Sequence, residues 1–532
     1  MIKGYRKGHV GIANWDMGQK NNDDKYYSRI DPDFYKKHLK YVLKQYKHRC
    51  VAAEWQIESY YHDKSNNAWP KMTDADLYKI DNFKYFLIKN LFWSLHLRAF
   101  GCDISSIHDG HRKWAINEHL SGIDFAFRMG MNAITFHPGS YNERINQDDP
   151  YIDFTVSWNE ALKTHTKRAK SLKDGIAAIV RHFVSKIEYH EMEIENYIQN
   201  NKTVTKKLIS IFITLQSGRT NKRDELTNFE KITLISKAFD IISSKYVPIK
   251  VARRLLLPDS TPHLCIENIE PYNFLMNLPG QMEYWYEFIL ERYHKECKSQ
   301  GLSNNFVDNY RPMMIIDCNH FINSQHILKK NPQLQVLFGN SFNDCYRDFA
   351  RIPGYYGKDE PLLNRLIRKN KQNILYWHIS GLIDNGDFLL THEPIKPFRK
   401  ALQTHSINDE LTFTYQLGNH KSLNESDLET IIQLIGMDEI FILEIFNTAT
   451  ENIKNSWENV TSFIKYIRGL RKYASQKHYS LHPNIDISNC LFAEVPIADN
   501  LCGIKEFIFY RYCDNSPYYE IVSRFSAVSP VK

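Results

Sequence analysis

The 532-residue sequence predicts an α/β fold, a (β/α)8 TIM barrel, on three observations. Short apolar runs alternate with longer helix-like stretches, these runs number eight, and six consecutive ones close on a histidine or a carboxylate. A doubly wound open sheet is the alternative, because strand order is not written in a sequence.

The first run, His9 to Trp15, reads as a strand and is followed by a helix-like stretch from Asp31 to Lys47 that opens Asp-Pro-Asp. Cys50 to Trp55 forms a second strand, and a long amphipathic segment runs from Asp74 to Phe100. Ile104 to Gly110 is predicted as strand three, Trp114 to Met129 as a helix, and Asn132 to Gly139 as strand four. The alternation then stops until Leu257-Pro258, which predicts a mainly helical insertion over residues 151–257 with a Lys-rich start (Lys163, Lys167, Arg168, Lys170, Lys173). It resumes with strand five at His263 to Asn268, a helix over Tyr284 to Lys298, and strand six at Met313 to Ile316, which runs straight into Asp317-Cys318-Asn319-His320. A helical region from Asp344 to Lys371 leads to strand seven at Ile374 to Ser380. A loop carrying Gly381, Gly386 and His392, a helix over Glu425 to Ile435, strand eight at Ile440 to Ile445 and a helix over Glu451 to Ala474 complete the pattern. The chain thus divides into a first half-barrel (1–150), the insertion (151–257), a second half-barrel (258–475) and a C-terminal extension (476–532).

Hydrophobic residues at 43%, aromatics at 13% and charged residues at 24% fit a folded globular protein and exclude wholesale disorder. The net charge of +7 is mild for this length and has the sign that favours phosphate-bearing partners. Nine cysteines without a C-x-x-C pair suggest neither a zinc ribbon nor a disulfide framework, so a reducing cytoplasm is the expected location. No run of about 18 apolar residues occurs, so neither an export signal nor a membrane span is expected.

The strand ends carry the chemistry. His108 closes strand three, His137 strand four, Glu267 strand five, Asp317 and His320 strand six, His378 strand seven and Glu444 strand eight, with His392 in the loop after strand seven. In a barrel these ends converge on one mouth. A single histidine at a strand end is more often a hydrogen-bonded structural residue than a ligand, but the pattern recurs on six consecutive strands. Burying three carboxylates together without cations costs several kcal/mol each or forces protonation. Imidazole plus carboxylate suits zinc, manganese or iron, and eight such groups exceed the needs of one ion.

The motifs His137-Pro138-Gly139-Ser140, Ile266-Glu267-Asn268, Asp317-Cys318-Asn319-His320 and Leu443-Glu444 resemble those of the endonuclease IV family within the xylose-isomerase-like barrels. The resemblance extends from Gly8 to Tyr473 apart from the insertion. It implies one metal on His108, His137 and a bridging Glu267, and a second on Glu267, Asp317, His378 and Glu444, with a third position on His320 and His392. The family has an aspartate two residues before that last histidine, where this chain has Leu390. The implied activity is metal-dependent phosphodiester hydrolysis, with two to three divalent ions, zinc first and manganese or iron as alternatives, acting on nucleic acid, DNA in particular, at abasic or damaged sites. His111 and Arg112 lie where the family places a side chain that probes the nucleic acid, although a solvated loop accounts for them equally well. The Lys163 to Lys173 cluster could contact phosphates, with a solvated helix face the commoner meaning. Glu54, inside an apolar strand, has no role on this reading, and the insertion could recruit a protein partner. The competing function is a divalent-metal sugar (phosphate) isomerase or epimerase, which needs only Glu267, Asp317, His378 and Glu444 around one ion; less favoured are an iron oxidase on a similar barrel and a degenerate barrel serving as a binding module.

Overall fold

The computed structural model describes residues 9–15, 52–56, 74–78, 83–88, 92–97, 102–138, 154–217, 226–258, 261–269, 275–276, 279–321, 323–324, 366, 370–384, 389–395, 440–444, 455–456, 458–460, 491–496, 504–512 and 519–528. Seven strands lie side by side in chain order: β1 (His9–Trp15), β2 (Ala52–Gln56), β3 (Phe92–His96), β4 (Ala133–Phe136), β5 (His263–Glu267), β6 (Met313–Asp317) and β7 (Ile374–Ile379). A hairpin of β8 (Gly381–Asp384) and β9 (Leu389–Glu393) leaves the end of β7, and β10 (Ile440–Leu443) then pairs with both β7 and β1. The eight barrel strands are parallel and closed, so all their carboxyl ends open on one mouth.

The expected third strand is corrected. Strand β3 is Phe92–His96, and the segment Ile104 to Gly110 is a turn that opens the helix α3 (Asp109–Met129). Asp103 causes the turn: its Oδ1 accepts from the Ser105 backbone N–H at 2.8 Å, and its carbonyl accepts from Ser106 N–H at 3.2 Å. Upstream, two short helices, α1 (Asp74–Tyr78) and α2 (Phe83–Ile88), stand where one long helix was expected. All five residues of β3 are buried, as a barrel strand between interior and helix layer must be. The expected helices over 31–47 and 425–435 lie outside the described residues, and those over 344–371 and 451–474 lie mostly outside them.

Side-chain alternation builds two cores. Phe92, Ala133, Cys265, Ile315, Tyr376 and Ile442 form one buried cluster inside the barrel. Their neighbours one position away, such as Trp93, Ile134, Ile266, Ile316, Trp377 and Leu443, belong to the larger core beneath the helices. Between β4 and β5 the chain runs through α4 (Phe154–Asn200), α5 (Lys202–Ser217), α6 (Asn228–Ser244) and α7 (Ile249–Leu256). Along α4, Leu172, Ile176, Ile179, Val180, Phe183, Val184 and Ile187 make a fully buried stripe at helical spacing, and α4 packs on both α3 and α8 (Pro279–Ser299). A capping box starts α6, with Thr227 Oγ1 accepting from Glu230 N–H and the Glu230 carboxylate accepting from Thr227 N–H. A short helix, α9 (Asn304–Asn309), leads into β6. Near the C-terminus β11 (Leu491–Pro496), β12 (Ile504–Tyr512) and β13 (Tyr519–Val528) form an antiparallel sheet in that order. Among the described residues no helix is long and apolar enough to cross a membrane.

Charged groups inside this layer are paired. Arg168, expected in a surface cluster, is buried with its guanidinium 3.0 Å from Asp103, whereas Lys167 and Lys170 are exposed. On α4, Glu191 receives a hydrogen bond from Arg254 Nη1 at 2.7 Å and shorter ones from Arg254 Nη2 and the Tyr310 hydroxyl. Burial works to raise the Glu191 pKa, but Arg254 outweighs it and holds the carboxyl below its ordinary value. A depressed folded-state pKa contributes stability at neutral pH that is lost as the pH falls through the carboxylate range. Glu191→Gln is therefore expected to destabilise the protein by about 1–3 kcal/mol at pH 7. The gap to wild type should shrink on acidification below about pH 4, read from urea midpoints at both pH values. An equal gap at both would contradict the ionised pairing.

Candidate metal centre

Six barrel strands, β3 to β7 and β10, place a mouth-facing side chain two residues beyond an interior one, because strand side chains alternate. Thus Ser94 precedes His96, Thr135 precedes His137, Cys265 precedes Glu267, Ile315 precedes Asp317, Tyr376 precedes His378 and Ile442 precedes Glu444, and all twelve residues are buried. Three groups of possible ligands result, each with its ligand atoms within 4.8 Å of one another: His96, His137 and Glu267; Glu267, Asp317, His378 and Glu444; and Asp317, His320 and His392. Glu267 belongs to the first two and Asp317 to the last two, so the groups form a chain across the mouth.

In the first group the Nε2 atoms of His96 and His137 are 3.0 Å apart, and Glu267 Oε2 lies 3.2 Å from His96 Nε2 and 3.7 Å from His137 Nε2. A tetrahedral zinc with bonds of ~2.0–2.1 Å separates its ligand atoms by about 3.3–3.4 Å, so this triangle has the size of a zinc site. In the second, His378 Nδ1 sits 2.5 Å from Glu267 Oε1 and 3.2 Å from Glu444 Oε2. In the third, the Nε2 atoms of His320 and His392 are 3.1 Å apart, and Asp317 Oδ2 is 3.4 Å from His320 Nε2.

The surroundings aim these atoms. His96 Nδ1 lies 2.8 Å from the Leu97 carbonyl, His320 Nδ1 3.1 Å from the Asn268 carbonyl and His392 Nδ1 3.3 Å from the Glu444 carbonyl. A carbonyl only accepts, so each Nδ1 carries a proton, and each ring aims its Nε2 at the mouth, where the neutral form would offer a lone pair to a cation. Asp317 divides its two oxygens: Oδ1 accepts from the backbone N–H of Asn319 at 2.7 Å and of His320 at 3.0 Å, capping the helical turn after β6. Oδ2 receives no hydrogen bond although fully buried. Asn268 exchanges a pair of 2.8 Å hydrogen bonds with the Asp317 backbone and ties the ends of β5 and β6 together. An oxygen buried without a donor, beside converging nitrogen lone pairs, is the arrangement a cation completes. The donor set therefore fits a metal.

His392 reaches the mouth by the β8–β9 hairpin. A Cβ on Gly381 would stand 2.3 Å from the Pro394 carbonyl oxygen, so only glycine allows the two arms so close. Ser380 Oγ accepts from His392 N–H at 2.9 Å, and His392 itself holds a left-handed backbone with φ 59°. Such a conformation is uncommon outside glycine and is typical of strained functional positions.

Electrostatics divides the site. Burial alone would lower the His96 pKa, but Glu267, with Glu54 and Glu444 behind it, raises it to about 9. Burial pushes His137 down to about 3 and Asp317 up to about 6. Against burial, His378 and His137 hold Glu267 below its ordinary value, and His378 and His392 do the same for Glu444. His378 is raised well above its ordinary value because Glu267, Glu54 and Glu444 overcome its burial.

Of the residues expected at the site, His137, Glu267, Asp317, His320, His378, His392 and Glu444 come together. His108 does not: it is the exposed N-cap of α3, and His96 at the end of β3 stands where it was expected. His96 carried the same signal as its neighbours, an apolar alternating run ending in histidine, but lay inside a segment read as helix. Leu390 lies in β9, and Asp317 supplies the carboxylate beside His320 and His392. His111 and Arg112 are held within the fold. The Asp103 backbone N–H donates to His111 Nε2 at 3.4 Å, and Arg112 donates to the Ser106 carbonyl and Ser171 Oγ at 3.0 Å each and pairs with Asp109.

No protein-family model matches the chain, and no curated protein matches it. Among solved structures the chain is similar to endonuclease IV from Thermus thermophilus, at 9% identity and TM-score 0.34, over 87% of this chain and 99% of that one. It is similar to D-psicose 3-epimerase from Clostridium cellulolyticum at 10% identity and TM-score 0.34, over 88% and 98%. A xylose isomerase-like TIM barrel protein from Mycobacterium smegmatis, solved with magnesium, matches at 10% identity and TM-score 0.35, over 86% and 98%. At these scores the likeness assigns no reaction to the chain.

Proposed function

We propose that the barrel mouth holds up to three divalent ions, zinc foremost, and that the protein is a metal-dependent phosphodiester hydrolase acting on nucleic acid, DNA in particular. The observation that carries this reading is the chain of three ligand groups joined by two shared carboxylates, Glu267 and Asp317. When bound, divalent ions supply charge to a phosphodiester and its leaving oxygen and lower the pKa of water, so that hydroxide is available near neutral pH. The protein's part is geometric. Glu267 links the first two positions through its two oxygens, Oε2 toward His96 and His137 and Oε1 toward His378. Asp317 Oδ2 faces the third position while Oδ1 holds the turn that carries His320. The backbone carbonyls behind His96, His320 and His392 keep those rings from rotating.

The second reading, a sugar or sugar-phosphate isomerase or epimerase, is favoured by one observation: Glu267, Asp317, His378 and Glu444 make a four-ligand group complete in itself, rich in the carboxylates that suit manganese or magnesium. That reaction leaves His96, His137, His320 and His392 without work, although three of the four rings have their second nitrogen held by a carbonyl. The phosphodiesterase reading uses all of them.

Protein purified without chelator is expected to contain two to three zinc or manganese ions per chain by elemental analysis. His96→Ala should lower that count by about one, while His108→Ala should leave it unchanged; the reverse pattern would return the first ligand group to its sequence-based form. A single ion per chain in wild type would support the isomerase.

Incubation with a duplex containing an abasic site is expected to give a nick. Glu267→Gln should reduce the rate by more than about 100-fold, beyond what loss of a partner outside a ligand set costs. If fully metallated wild type leaves abasic and intact DNA and RNA uncut while interconverting a sugar phosphate, the hydrolase reading is wrong.

A further inference from the structure

Among the five imidazoles at the mouth, His378 is turned the other way. It presents Nδ1 to Glu267 and Glu444 and directs Nε2 away from the mouth, into the barrel interior, where Glu54 Oε1 stands 2.9 Å away. The contact is close in distance but not aligned as a hydrogen bond, so Glu54 acts on the ring through its charge. Where His96, His320 and His392 each have a backbone carbonyl behind them, His378 has a carboxylate.

Glu54 is fully buried on β2, and the barrel interior supplies the groups that hold it. Its Oε2 accepts from Ser94 Oγ, directly across the β2–β3 ladder, at 3.1 Å, and from the Tyr376 hydroxyl through a shorter hydrogen bond. The Tyr376 hydroxyl also lies 2.6 Å from Thr135 Oγ1. Since Tyr376 donates its one proton to Glu54, Thr135 donates to Tyr376, and the relay runs Thr135 to Tyr376 to Glu54 in a single direction. Oε2 takes both hydroxyls, and Oε1 faces His378. The Tyr376 ring is fixed in turn by an edge contact with Phe92, with centroids 5.4 Å apart.

We propose that Glu54 is a positioning residue for the metal centre, acting through His378 with Ser94, Tyr376 and Thr135 as its supports. With a cation held by Glu267, Asp317 and Glu444, Nδ1 would give up its proton to take that cation, and the Glu54 carboxylate would favour the remaining proton on Nε2. A carboxylate behind a ligating histidine fixes the ring and raises its donor strength more than a neutral carbonyl does. The inference rests on the reading of the mouth as a metal centre, but not on which reaction that centre performs.

The test uses the full chain, first stripped of metal and then titrated with cobalt(II) in competition with a chelator, with occupancy followed by the cobalt visible absorption bands. Glu54→Gln keeps the side-chain shape and removes the charge. It is expected to weaken the tightest cobalt site containing His378 by about 10- to 100-fold and to shift its absorption bands. Thermal melting of the metal-free variant near that of wild type shows that the fold is intact. Should Glu54→Gln fail to fold, Tyr376→Phe retains the ring contact with Phe92 and deletes only the hydroxyl that holds Glu54, and a smaller loss in the same direction is expected. Cobalt affinities and spectra indistinguishable from wild type in the folded variant would overturn the role of Glu54 while leaving the metal centre standing. A wild-type chain that takes up no cobalt at all would overturn both.

Discussion

Three buried carboxylates set the terms for everything at the barrel mouth. Glu267, Asp317 and Glu444 are at most 2% exposed, and bringing them together without positive charge would cost several kcal/mol apiece. In the polypeptide alone, compensation comes from imidazoles. His378 and His96 are driven toward the protonated form by the carboxylates around them, while Asp317 is pushed by burial toward the neutral acid. Among the described residues, five rings and three carboxylates buried at one mouth make a poor structural core and a good cation site, since a cation satisfies the acids and the ring lone pairs at once.

The strands deliver these groups because of a two-residue step repeated around the barrel. On six strands an interior residue is followed two positions later by a potential ligand, from Ser94 and His96 on β3 to Ile442 and Glu444 at the end of β10. A slip of one residue on any strand would exchange ligand for helix-facing side chain. Between β6 and β7 the register shifts at Met314/Ile315, after which Ile315 pairs with Tyr376 and Asp317 with His378. That irregularity sets Asp317 beside His378, the contact on which the middle ligand group depends.

Much of this was legible in the sequence, and the exceptions have physical causes. Runs such as Met313 to Asp317 and Ile374 to His378 have strand length, strong apolar character and a polar stop, so they announced both the barrel and its mouth. Phe92 to His96 has the same character but follows the helical Phe83 to Ile88 with only Lys89, Asn90 and Leu91 between, and no glycine or proline marks the break. The segment Ile104 to His108 offered a decoy ending in histidine, and what makes it a turn is the Asp103 side chain folding back on the backbone of Ser105, a contact that apolar periodicity does not register. The carboxylate that serves the third ligand group was sought near Leu390 because motifs are read along the chain; Asp317 does so across space, more than seventy positions earlier in sequence.

Glu54 shows the same limit more sharply. In sequence it is an isolated acid in an apolar strand, with nothing nearby to explain it. Its partners Ser94, Tyr376 and His378 come from two other strands, and Tyr376 is 322 residues away. Closure of the barrel is what makes them neighbours, and it buries them beneath the mouth. A carboxylate buried there needs partners, and two hydroxyls occupy one oxygen while the other faces an imidazole. The polar layer beneath the ligands thus follows from the same constraint as the ligands themselves: every charge carried into the barrel needs a partner on another strand, and the chain of partners runs from Thr135 up to His378 and the mouth.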